Sequence, residues 1–215
     1  MEVFTLNQQN SIANHFLAEL RDVKIQQDRQ RFRTNMTRLG EIMAYEISKK
    51  MVYHSVGVQT PLSEIKTSLL KQSPVLLTVL RAGLPYFQGF LNYFDRSDSG
   101  FIGAYRKEGE AEITIQLDYL ATPSLQGKEV ILIDPMLATG NSFIRSIAAL
   151  VKHGQPSHIY LAALVAAPEG IKNLIDNLKV PCSLFTVSID EKLNKDFYIV
   201  PGLGDAGDLS FGEKM

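Results

Sequence analysis

The sequence predicts an α/β fold, a mostly parallel sheet flanked by helices, and three observations carry that expectation. Four near-continuous apolar runs, Val75–Leu80, Val130–Ile133, Ile159–Ala166 and Leu184–Ile189, have the character of strands buried on both faces. Segments with helical apolar spacing separate them. Apolar residues make up 45% of the 215 residues, enough for a full core and too many for a disordered chain.

The elements follow in chain order. Ser11 can cap a helix over residues 11–22, where Ile12, Phe16, Leu17 and Leu20 share a face. Residues 28–53 read as one longer helix with Phe32, Met36, Leu39, Met43 and Ile47 inward. The strand Val75–Leu80 breaks at Arg81-Ala82-Gly83 and leads into a helix over about 84–94. Phe101–Tyr105 and Ile113–Leu120 read as a hairpin arm, joined by the charged stretch Lys107-Glu108-Gly109-Glu110-Ala111-Glu112. Val130–Ile133 precedes Asp134-Pro135 and a helix over about 140–153, which Gly154 ends. After Ile159–Ala166, Pro168 and Glu169 open a helix to about 178, and Leu184–Ile189 is the last clear strand. No repeat or linker interrupts the chain, which reads as a single domain, 1–215.

Composition narrows the function. The formal net charge of −1 gives no general attraction to nucleic acid or to an anionic membrane. Cys182 is the only cysteine, so neither an intrachain disulfide nor a thiolate cluster can form, and a reducing compartment fits. The start, Met1-Glu2-Val3-Phe4, lacks the basic flank and apolar core of a secretory signal. No apolar run is long enough for a membrane span. The four histidines, His15, His54, His153 and His158, show no HxxxH spacing.

Parallel sheets bind ligands beyond the carboxyl ends of their strands. Four segments there can carry chemistry. After Ile133, the run Asp134-Pro135-Met136-Leu137-Ala138-Thr139-Gly140-Asn141-Ser142 joins an acid, a short loop and a helix start. A helix N-terminus offers N–H donors and a favourable dipole to a phosphate, and Thr139 and Ser142 add hydroxyls. The same pattern also describes an ordinary capped strand–turn–helix. Arg81-Ala82-Gly83 can present a guanidinium and backbone amides to an anion, or be a surface arginine beside a turn. Arg106 ends the strand Ile102–Tyr105. The stretch Tyr198–Asp208, with three glycines and two aspartates, makes a poor helix or strand.

These segments resemble the type I phosphoribosyltransferase family. The form Asp134-Pro135-Met136-Leu137-Ala138-Thr139-Gly140 is similar to the signature for phosphoribosyl pyrophosphate (PRPP) in its uracil branch, with Asn141 where glycine is frequent. Tyr198–Asp208 resembles that branch's uracil loop. Smaller matches occur at Arg31-Phe32-Arg33, Ala166–Ile171 and Ser188-Ile189-Asp190, and the four main segments fall in family order.

The resemblance implies a type I phosphoribosyltransferase-like fold, with a small hood from the N- and C-terminal segments and a protruding hairpin arm. It implies transfer of the phosphoribosyl group of PRPP to uracil, giving UMP and pyrophosphate, in pyrimidine salvage. PRPP falls to Arg81, Ala82, Gly83, Arg106, Asp134, Pro135, Met136, Leu137, Ala138, Thr139, Gly140, Asn141, Ser142 and Asp205. Uracil falls to Ile199, Gly204, Asp205 and Ala206. Asp134, Asp205 and Arg106 are the expected catalytic set. Magnesium is the expected cofactor, held mainly through PRPP and water with no direct protein ligand. The hairpin tip would be a mobile cover that excludes water. A homodimer or larger homo-oligomer in the cytoplasm is expected, without nucleic-acid or membrane partners. Two alternatives stand beside it: a uridine-nucleotide-sensing RNA-binding regulator on the same fold, and a transferase for another base.

Overall fold

The computed structural model describes residues 1–107 and 114–214, so the expected cover, 107–112, lies almost wholly outside the described residues. The strands are β1 (Glu2–Thr5), β2 (Tyr53–Gln59), β3 (Glu64–Leu70), β4 (Val75–Leu80), β5 (Ser99–Lys107), β6 (Thr114–Ala121), β7 (Glu129–Ile133), β8 (Met136–Leu137), β9 (His158–Ala166), β10 (Cys182–Ile189), β11 (Lys192–Leu193) and β12 (Ile199–Val200). The α-helices are α1 (Ala13–Arg21), α2 (Arg29–Ser48), α3 (Leu84–Tyr93), α4 (Asn141–Leu150), α5 (Pro168–Asn177) and α6 (Ala206–Phe211).

The main sheet runs β1-β10-β9-β7-β4-β5-β6, with the short β8 also on β9. Only β6 is antiparallel, to β5. Alternate side chains of a strand face opposite layers, and both layers are apolar. Leu76, Ile131, Ile133 and Phe185 join one buried cluster with Phe32, Met36, Leu39 and Phe90 of α2 and α3. Leu77, Val130, Leu132 and Leu161 join the other with Phe143, Ile147 and Leu174 of α4 and α5. Coverage of both faces explains why these strands carry near-continuous apolar runs.

The expected architecture is present, with local corrections. In α1, Ser11 Oγ accepts from the Ala13 N–H at 3.3 Å, but Ile12 is exposed and Ala13 is buried in its stead. The helix expected over 28–53 stops at Ser48, and a hairpin of β2 and β3 follows. Thr60 Oγ1 holds the hairpin's tip, accepting from Ser63 N at 3.0 Å. Nearly every residue of this hairpin is exposed, so it lacks the in–out apolar alternation that marks a half-buried strand. The stretch Tyr198–Asp208, expected to make a poor helix or strand, contains the two-residue strand β12 and the start of the short helix α6.

Helices α2 and α3 cross where Gly40 meets Gly89. A Cβ at Gly89 would stand 2.5 Å from Glu41 N and 2.7 Å from the Gly40 carbonyl carbon. Gly89→Ala is expected to force the helices apart and cost about 1–3 kcal/mol, visible as a lower urea midpoint.

Candidate active site

The loop after β7 is tied down by its own polar groups. Asp134, 8% exposed, follows the strand; its Oδ1 accepts from Met136 N at 3.2 Å and its Oδ2 from Ser142 Oγ at 3.1 Å. The first bond shapes the turn, and the second links the acid to the first turn of α4. Gly140 sits at φ 82°, the left-handed region that glycine enters without a Cβ penalty. Asn141 takes a defined place: its Oδ1 accepts from Asn173 Nδ2 at 3.0 Å, and the same amide donates to Thr139 O at 2.8 Å. A side chain from α5 thus braces the loop at Asn141, the position where glycine is frequent in the family it resembles. Gly170 of α5 lets that helix approach, since a Cβ there would collide with the Ala138 carbonyl oxygen.

After β4 the chain turns through a cis Leu80–Arg81 peptide. Gly83 is buried, and a Cβ there would collide with Thr78 Oγ1 and lie 2.7 Å from Val79 O. The Arg81 side chain is 41% exposed; its Nη2 donates to Asp208 Oδ1 at 2.9 Å and to Gly212 O at 3.2 Å. The arginine therefore reaches the C-terminal helix. The Arg106 side chain is outside the described set; its backbone pairs with Ile115 in the β5–β6 ladder.

The stretch from Ile199 is folded tightly. Val200–Pro201 is cis, and Gly202 and Gly204 have φ of 60° and 91°. Asp205 caps α6, its Oδ1 accepting from Gly207 N at 2.8 Å and Asp208 N at 3.0 Å. Ile199, Leu203 and Ala206 point into the core and anchor the loop from below. A buried carboxylate anchors it from the side. Asp190, with a side chain 2% exposed, accepts from Gly202 N at 2.8 Å and Ser188 Oγ at 2.9 Å, and pairs with Arg21 through bonds of 2.6 and 2.9 Å. So many partners offset the cost of burying its charge. Arg21 also donates to Gly202 O at 3.3 Å, which joins the end of α1 to this loop.

These segments enclose one cleft of about 620 Å³. Arg81, Ala82, Asp134, Met136, Ala138, Thr139, Gly140 and Ser142 line it, and so do Ile199, Gly204, Asp205 and Ala206. Gly83, Pro135 and Leu137 are buried behind that lining, and Asn141 stands outside it on its bond to Asn173. The structure adds Val79, Leu80, Phe143, Phe197, Tyr198, Gly207 and Lys214 to the wall. Phe197 and Tyr198 adjoin the glycine-rich stretch and could have been found from it. Nothing local marks Lys214 or Arg21.

One end of the cleft thus combines a helix N-terminus, hydroxyls and a guanidinium, groups that suit an anion. A backbone-rich wall with fixed donors and acceptors faces it, and Asp134 and Asp205 supply carboxylates. Cys182 lies elsewhere, at the start of β10, and burial pushes its thiol pKa up, which disfavours the reactive thiolate. Among the described residues no helix is long and apolar enough to cross a membrane.

Residues 7–213 match the family model for uracil phosphoribosyltransferase. A uracil phosphoribosyltransferase of Porphyromonas gingivalis is 45% identical over 216 residues and covers 100% of both chains. One from Pyrococcus furiosus is 37% identical over 93% of this chain and 85% of its own. Among solved structures, the AQ2163 protein from Aquifex aeolicus superposes with a TM-score of 0.87 at 30% identity, over 98% of each chain.

Proposed function

The chain belongs to the uracil phosphoribosyltransferase family, and from that premise we propose that the cleft transfers the phosphoribosyl group of PRPP to N1 of uracil. The products are UMP and pyrophosphate. One observation carries this reading: the Asp134–Ser142 loop, Arg81 and the Ile199–Ala206 stretch, far apart in sequence, line the same cleft.

The C1–pyrophosphate bond breaks as positive charge builds on the ribose ring, and uracil N1 attacks the opposite face, inverting C1 and giving up its proton to water. The backbone amides of Ala138 to Ser142 and the hydroxyls of Thr139 and Ser142 take the 5-phosphate. Asp134 takes the ribose hydroxyls. Arg81 exchanges Asp208 for pyrophosphate, and Arg106 joins it from β5. Asp205 sets a negative charge against the ribosyl cation. Most of the acceleration comes from holding the reactants in line and from charges fixed before reaction. Backbone groups of Ile199, Gly204 and Ala206 read uracil, with Gly83, Pro135, Leu137 and Asn141 supporting the lining from behind.

Magnesium fits this donor set as an ion carried on PRPP. Asp134 and Asp205 are hard oxygen donors suited to its water shell, and among the described residues no cluster of three or more metal-binding side chains exists. When bound, the ion would neutralise charge on the leaving pyrophosphate.

A single domain over 1–215 is supported by the pairing of the N-terminal strand β1 with β10, near the other end of the sequence. A cytoplasmic setting fits the single cysteine. The RNA-binding alternative would need a basic face, and in the cluster Arg29, Arg31, Arg33 and Arg38 three side chains are engaged within the chain: Arg31 pairs with Glu19, Arg33 donates to Ser210 O at 2.7 Å, and Arg38 lies over Phe16 at 5.0 Å. Incubation with PRPP, magnesium and uracil should yield UMP, and its absence would refute the reading.

Assembly into at least a homodimer is supported by β2 and β3. Among the described residues they pair as strands only with each other, the hairpin exposes Val58, Leu62, Ile65 and Leu69, and an isolated hairpin is marginal in water. Sedimentation at micromolar concentration should show a species of at least twice the 24.0 kDa of one chain. A 24.0 kDa species alone would refute assembly.

A further inference from the structure

Phe197 is the only non-glycine among the described residues with a positive φ, 61°. It lies in the turn between β11 and β12, closed by Asn194 N donating to Tyr198 O at 2.9 Å and Phe197 N to Asn194 O at 3.0 Å. Asn194 Oδ1 also accepts from Asp196 N and Tyr198 N, each at 2.9 Å. The turn needs a left-handed residue at 197, where glycine would cost least. A phenylalanine there works against the folded state by roughly five- to thirtyfold in the folding equilibrium.

Packing does not offset that cost. Phe197 is 45% exposed, joins neither buried cluster and makes no ring pair among the described residues. It does line the cleft, together with Tyr198 and Ile199. Strained residues of this kind gather where a ligand is clamped. The chemistry of the base says what remains to be clamped. Two carbonyls and N3–H form the polar edge that the backbone reads, and N1 faces the ribose. The C5–C6 edge and the ring faces are left, and they are apolar.

We propose that Phe197 is a base-binding residue of the site, its ring covering the apolar C5–C6 side of bound uracil. The proposal rests on the uracil reading above. Phe197→Gly, Phe197→Asn and Phe197→Tyr separate this role from a structural one, because glycine and asparagine suit the left-handed turn better than phenylalanine. Phe197→Gly is expected to keep or raise the thermal midpoint and to raise KM for uracil roughly tenfold or more, as loss of base–aromatic stacking does. KM for PRPP should stay within about twofold. Phe197→Asn should behave alike, and Phe197→Tyr should keep the wild-type KM for uracil. A wild-type uracil KM in a folded Phe197→Gly or Phe197→Asn protein would overturn the proposal while leaving the transferase reading intact. Loss of folding in both would overturn it too, by showing the ring to be structural. A wild-type enzyme that makes no UMP would remove the premise itself.

Discussion

Asp134→Asn is expected to leave the fold intact and to cut turnover roughly ten- to a hundredfold, the rate equivalent of a lost charge-assisted bond worth about 1.5–3 kcal/mol. The fold should survive because the bonds to Met136 N and Ser142 Oγ have neutral replacements. An asparagine oxygen can still accept from Met136 N, and its amide can donate to Ser142 Oγ, a hydroxyl that accepts as well as donates. What the variant lacks is negative charge where the ribose hydroxyls and the water shell of magnesium would sit. Steady-state rates alongside a thermal melt test this directly. A stable, fully active Asp134→Asn enzyme would remove Asp134 from the catalytic set.

Rejection of cytosine by at least a hundredfold in kcat/KM is the second large expected effect. Cytosine replaces the 4-carbonyl with an amino group and turns N3 from donor to acceptor. Against a fixed backbone each change leaves a buried polar group unpaired, at about 1–3 kcal/mol apiece. Rigidity is what makes the discrimination work. Gly202 N and O are both engaged by the Asp190–Arg21 pair, and Ile199, Leu203 and Ala206 are set in the core. Gly204→Val should damage uracil use itself. A Cβ at Gly204 has room, 3.5 Å from Leu209 Cδ1, but φ 91° is strained for valine, so the backbone would shift. Leu203 is 3% exposed and does not line the cleft, so truncating it should alter affinity more than base preference. Comparable turnover of the two bases would show that recognition does not run through this backbone.

The central strands and the helices flanking them were legible because their signals are local. Val130–Ile133 is apolar throughout since both sheet faces are covered, and the apolar spacing of α2 names Phe32, Met36 and Leu39 as its inner face. The site loops were legible for the same reason, as each is a short run of chain whose residue types suit a phosphate or a base. Weak local signals were missed. β1 has four residues, partly exposed; β2 and β3 bury almost nothing; α6 is six residues long and includes a glycine. Its cap at Asp205 and the bond from Arg33 to Ser210 O hold it where local propensity does not.

By itself the sequence determined the layered α/β class, the loops that line the cleft and the residue types within them. Only the tertiary structure decided how those loops are held against one another. Arg21 and Asp190 are 169 residues apart, and Arg81 and Asp208 are 127 apart. Asn173 braces Thr139 from a different helix. Periodicity and turn chemistry act within a few residues along the chain. Contacts such as these depend instead on which strand ends the sheet order brings together, and no local run of sequence encodes that.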